Sequence, residues 1–163
     1  RANNGQSPFM VACGMGHKVV VKLLLDHPEI IELNTIDYRG RTAFIYACRY
    51  RQQDVVKMFL EHSEIIYLNA RDKSRKTAFM IACQYGRKDV VKLFLDHSEK
   101  IDLNARDKNG GTVFMKACLS GHKDVVKLLL EYSEVVDINI TESFQLSEDI
   151  QNLIESHSMR VLN

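Results

Sequence analysis

The chain contains four cysteines, Cys13, Cys48, Cys83 and Cys118, and each stands 35 residues from the next. The interval governs their surroundings too. Ala12, Ala47, Ala82 and Ala117 keep it, as do Phe9, Phe44, Phe79 and Phe114, and Asn34, Asn69, Asn104 and Asn139. "DVVK" returns at Asp54, Asp89 and Asp124, with "VVVK" at Val19. A fixed period of roughly 20–50 residues marks a stacked array, in which no unit buries its apolar face alone. The units run 1–35, 36–70, 71–105 and 106–140, with a tail at 141–163 that diverges into a capping segment.

Each unit has the same internal grammar. A polar turn ("DYRGRT", "DKNGGT") leads into a segment such as "TAFMIACQYG", whose Phe, Ala and Cys recur at helical spacing. Thr is placed to cap that helix, and in the first unit Pro8 takes the favoured first helical position. Gly16, Gly86 and Gly121 follow where the helix should stop. A second helix then carries Asp in its first turn, suited to the helix dipole, with Val and Leu on its buried side. In the tail, Ser147 can cap a helix beginning Glu148–Asp149, with Ile150, Leu153 and Ile154 on one face. Ala2 stands where the other units carry the turn Asp, and the chain opens in the middle of a turn. More of the array, or another domain, is therefore expected before residue 1.

The cysteine ladder suits packing rather than chemistry. Equivalent helices of stacked units lie about 8–10 Å apart, whereas a disulfide needs Cα atoms within about 7 Å. A zinc site needs ligands converging on one point, and no recurring His or acid could activate the thiols as nucleophiles. Cys is then a small hydrophobe between helices. Four unpaired thiols suit a reducing intracellular compartment such as the cytoplasm.

Turn, short helix, turn and longer helix, with D-x-x-G-x-T leading into the first helix, resembles the ankyrin repeat over residues 1–140. The resemblance implies an all-α helical solenoid of stacked helix–turn–helix repeats joined by short β-hairpin turns. Departures exist. The family's Thr-Pro-Leu-His becomes "TAFM", "TAFI" or "TVFM", and the period exceeds the family's usual value of about 33. Arg51 and Arg75 occupy positions that are Gly in other units, and a left-handed backbone kept there would cost about 1–2 kcal/mol each.

In the family, the hairpin turns and first helices line a concave surface that grips partners. Carried onto this chain, the candidate partner-binding residues are Tyr38, Arg39, Arg41, Tyr46, Arg49, Tyr50, Lys73, Lys76, Gln84, Tyr85, Lys108 and Leu119. Tyr and Arg concentrate in the second and third units, and both are enriched at interface hot spots. Tyr46 suits packing between units as well as binding, whereas Tyr38, Tyr50 and Tyr85 are expected to be exposed. The face is expected to be basic, matching an acidic or phosphorylated partner segment.

Other motifs belong to the repeat. "DINITESFQLSE" from Asp137 imitates a calcium loop but has Glu142 where Gly is required. Asn139 opens a glycosylation sequon yet is the repeat's own Asn. His27, His62 and His97 share one position with Tyr132, near the solvent edge of the second helix. "GMGH" at Gly14 follows no strand and is not a phosphate loop. Neither a Ser-His-Asp order nor an HExxH motif occurs, so no enzyme, metal or cofactor is expected.

With 45% apolar and 26% charged residues and a formal charge of +1, the composition is that of a soluble globular protein without a membrane-spanning helix, and a monomer is expected. The sequence therefore points to a non-catalytic module that binds another protein or peptide. Polyanion binding through the basic, Tyr-bearing turn tips is the alternative, with net charge arguing against nucleic acid. A structural spacer in a larger protein is a third reading.

Overall fold

The computed structural model describes residues 3–140 and 145–161, excepting the side chain of Val161. Among them are nine helices and no strand. They are α1 (Pro8–Met15), α2 (Lys18–Asp26), α3 (Ala43–Arg49), α4 (Gln53–Glu61), α5 (Ala78–Gln84), α6 (Lys88–Asp96), α7 (Val113–Leu119), α8 (Lys123–Glu131) and α9 (Glu148–Val161).

The short helices begin where a hydroxyl can hold them. The side chains of Ser7, Thr42, Thr77 and Thr112 accept from the backbone N–H of Met10, Ile45, Met80 and Met115 at 3.2, 3.4, 3.3 and 3.3 Å. Each such cap contributes about 1 kcal/mol. Gly16, Gly86 and Gly121 end their helices with positive φ. Arg51 (φ 61°) and Arg75 (φ 60°) hold that left-handed backbone despite their side chains. Gly40 and Gly110, the register partners of Arg75, have φ of 76° and 78°.

The first helices pack α1 on α3, α3 on α5 and α5 on α7; the second helices pack α2 on α4, α4 on α6 and α6 on α8. Two helical layers result, and Phe side chains interlock between them. Phe59 of α4 meets Phe9 and Phe44 edge-on at ring separations of 6.0 and 5.7 Å, and Phe94 of α6 meets Phe44 and Phe79 at 5.6 and 5.5 Å. Edge-to-face pairs at this spacing add about 0.5–1.5 kcal/mol each beyond their burial. All four cysteines are free and buried in this seam. Burial raises every thiol well above its ordinary pKa, that of Cys118 to about 12.

The repeating Asn stitches each unit to the next. Asn34, Asn69 and Asn104 donate to the carbonyls of Ile65, Lys100 and Val135 at 2.7, 3.0 and 2.9 Å. Their Oδ1 atoms accept from the N–H groups of Tyr67, Asp102 and Asp137 at 2.9, 2.8 and 2.7 Å. Asn139 instead turns back to Asp137, donating at 2.8 Å. Asp137 also pairs with Arg106 at 2.6 Å, so it belongs to the repeat architecture. The rest of the calcium-loop look-alike and the sequon include residues 141–144, outside the described residues, as does Ala2.

The outer faces of the first and fourth units are covered differently. Helix α9 packs on α8 and buries Ile150 completely, with Leu153 and Ile154 partly covered beside it. At the first unit, Val20 is 47% exposed, whereas its counterparts Val55, Val90 and Val125 are at most 1% exposed.

Candidate partner-binding surface

The surface is built on the turns that precede the first helices. In units two to four, Asp Oδ1 accepts two backbone N–H groups, from Arg39 and Arg41 at Asp37, Ser74 and Lys76 at Asp72, and Asn109 and Gly111 at Asp107, all within 2.9 Å. The turns close like hairpins, with the Asp N–H bonded to the carbonyl of Arg41, Lys76 or Gly111 at 3.0–3.1 Å. One such closure per turn is too little ladder to form a strand. Neighbouring turns also bond to each other: Tyr38 N–H to the Asn4 carbonyl, Lys73 to Arg39 and Lys108 to Ser74 at 3.2, 2.9 and 3.0 Å. The tips thus form a row that presents Tyr38, Arg39, Lys73 and Lys108 to solvent.

Behind the tips lies a buried ionic cluster. Asp37, 3% exposed, receives the Nε and Nη2 of Arg41 at 2.8 and 2.7 Å and the hydroxyl of Tyr46 at 2.7 Å, all on Oδ2. Burial by itself would raise the Asp37 pKa. The N–H and guanidinium of Arg41, the Tyr46 hydroxyl and the Arg39 N–H outweigh it and hold the carboxyl below its ordinary value. Burial, then the bond to Asp37, raises the Tyr46 phenol.

This geometry corrects two of the candidate contacts. Tyr46 is only 2% exposed, its ring under the Arg41 guanidinium at 4.8 Å. The Arg41 side chain is itself largely covered and committed to Asp37. Both residues brace the surface from below, because a buried carboxylate requires their donors. Unit four meets the same demand differently, with the Lys116 ammonium paired to Asp107.

The remaining candidates fall into three settings. Tyr38 and Tyr50 are 65% and 51% exposed, and Leu119 at the end of α7 is 48% exposed. Tyr85, expected in solvent, is half-buried against the core. Lys76 donates to Gln84 Oε1 at 2.8 Å, so these two partner each other. The Arg49 guanidinium lies 5.9 Å from the Tyr50 ring and 4.8 Å from that of Tyr85. Tyr50 in turn stacks on Tyr46 at 6.3 Å and 15°. Gly14 gives it room, since a Cβ there would lie 3.3 Å from the Tyr50 ring.

One further ladder joins the units without a recurring residue type to mark it in the sequence. Gln52 Nε2 and Arg87 Nε donate to the carbonyls of Gly14 and Arg49 at 2.9 and 3.0 Å, and His122 Nε2 lies 3.0 Å from the Gln84 carbonyl. Each side chain covers the carbonyl end of the preceding unit's first helix. The only sequence signal is that His17, Gln52, Arg87 and His122 all carry N–H donors. His62 and His97 are likewise committed locally, with Nδ1 at 2.7 and 2.9 Å from the carbonyls of Met58 and Leu93. Among the described residues, no three His, Cys, Asp or Glu converge to hold a metal, and no helix is long and apolar enough to cross a membrane.

Four interlocked helix pairs with a row of variable turn tips define a stacked-repeat solenoid. The family model for ankyrin repeats (3 copies) matches residues 1–72 and 63–142, and the chain belongs to the ankyrin-repeat family. Ankyrin repeats generally mediate protein–protein interaction. A comparison with curated proteins returns no match.

Proposed function

We propose that this chain is a non-catalytic module that holds an acidic or phosphorylated segment of a partner protein. The segment lies along the turn tips and the ends of the first helices. The observation that carries this reading is the coexistence of exposed Tyr38, Tyr50 and Leu119 with Arg39, Arg49, Lys73 and Lys108. None of these four cations pairs with a carboxylate among the described residues, whereas Arg41, Arg51, Arg71, Arg106 and Lys116 all do. Large amphipathic rings beside unpaired cations are what an interface core with acid-selective edges requires. The four units and the closing helix act as one binding domain, suited by its free thiols to a reducing compartment.

The test is capture of partner proteins by the intact chain and by the Arg49→Ala/Tyr50→Ala double variant. The double variant should lose capture and keep a nearly unchanged melting curve. Equal capture by both would refute the surface assignment. Capture of any polyanion, nucleic acid included, with steep loss in salt would assign the surface to polyanions instead.

A further inference from the structure

We infer that Arg49, flanked by Tyr50 and Tyr85, is the receptor for a single Glu or Asp carboxylate of the partner segment. The inference rests on the proposed function and specifies where its acid selectivity resides. Tyr50 and Tyr85 lie within cation–π distance of the guanidinium, at 5.9 and 4.8 Å. A guanidinium beside two rings still has its planar N–H edge as the part able to donate. No acceptor among the described residues takes that edge.

The arrangement is preset. Tyr50 rests on buried Tyr46, whose hydroxyl is fixed to Asp37 at 2.7 Å, and the Arg49 carbonyl is held by Arg87 Nε at 3.0 Å. A guanidinium held in one orientation loses little freedom on binding, so its hydrogen bonds contribute more to affinity.

The commitment of neighbouring donors favours carboxylate over phosphate at Arg49. A phosphate carries close to two negative charges at neutral pH and needs more than one cation. Arg41 is neutralised by Asp37, and Lys76 and Arg87, which keep their charge, have donors committed to Gln84 and the Arg49 carbonyl. One planar, singly charged edge matches one planar, singly charged carboxylate, side-on and bidentate.

The experiment selects binders to the intact chain from randomised displayed peptides. The strongest is then synthesised with its acidic residue as Glu, Gln or phosphoserine, and binding is followed by fluorescence anisotropy. Glu→Gln in the peptide should weaken binding about tenfold to a hundredfold, the range of a charge-assisted hydrogen-bonded pair. Arg49→Gln should weaken the Glu peptide equally and leave the Gln peptide unchanged, while Arg39→Gln preserves the Glu preference. Phosphoserine should bind no better than Glu. A Glu preference that survives Arg49→Gln, or a clear preference for phosphoserine, overturns the inference and leaves the binding module standing. Recovery of no peptide at all overturns both.

Discussion

Replacing Arg75 with Gly should make the protein more stable, although it removes a charged side chain and adds a flexible residue. Arg75 holds φ at 60°, in a turn whose counterparts Gly40 and Gly110 hold 76° and 78°. An L-residue in this region is disfavoured by about 1–2 kcal/mol. Glycine returns part of that gain through its freedom in the unfolded chain, about 0.4–1 kcal/mol. The turn bond from the Arg75 N–H to the Asp72 carbonyl, 2.8 Å, is retained. The net gain is about 0.5–1 kcal/mol, a rise in Tm of roughly 1–4 °C for a chain of this size. The reciprocal substitutions separate strain from crowding. A Cβ at Gly110 meets nothing within 4 Å, so Gly110→Ala reports the backbone alone. At Gly40 a Cβ would lie 2.9 Å from the Lys73 nitrogen, so Gly40→Ala must cost more. Urea unfolding and thermal melts of the three variants would decide the matter. A destabilised Arg75→Gly, or equal effects at Gly40 and Gly110, refutes the reasoning.

Tyr46→Phe deletes the 2.7 Å hydroxyl–carboxylate bond inside the buried cluster and should lower stability by about 1.5–3 kcal/mol in urea unfolding. The acid limb of stability should involve Asp37 and Asp107, whose hydrogen bonds hold their folded carboxyls below the ordinary carboxylate value. Their contribution is fully present above that value and is lost as pH falls through the lower folded values, because the unfolded chain takes up protons first. Melts at decreasing pH should therefore fall less steeply for Asp107→Asn than for the parent. A thiol reagent at mildly alkaline pH should label none of the four cysteines in the folded chain and all four in denaturant, since all are buried with raised pKa values.

Much of the fold was legible because its determinants are local and recur. The Thr caps, the glycine stops and the 35-residue interval each specify a backbone event at a known place. Register with glycines left the backbone at Arg51 and Arg75 open between a left-handed turn and a changed loop, and the left-handed turn is kept. The candidate surface was legible where a side chain leaves a turn or helix end, as at Tyr38 and Tyr50. Side chains whose fate depends on a neighbour stayed open between packing and binding. Register located Tyr46 on the first helix, but its burial depends on the carboxylate of Asp37, nine residues earlier. The carbonyl-covering ladder stayed hidden because its task requires an N–H donor of the right reach rather than one residue type, so Gln52, Arg87 and His122 share a role without a letter.

The turn carboxylate links fold to function. At all three turns one oxygen of the Asp closes the backbone, which leaves the second oxygen to be satisfied by whatever the unit supplies. Unit four supplies the Lys116 ammonium. Unit two supplies Arg41 and the Tyr46 hydroxyl, and that choice places a fixed aromatic ring beneath Tyr50. Unit three has Ile81 at the Tyr46 position and adds Tyr85, whose ring lies 4.8 Å from the Arg49 guanidinium. Identical turns can thus carry different surfaces at little expense to the stack, because the shared oxygen builds the fold while its twin organises the neighbours. The boundary between units two and three is where that freedom assembles an aromatic–guanidinium stack anchored on a buried charge.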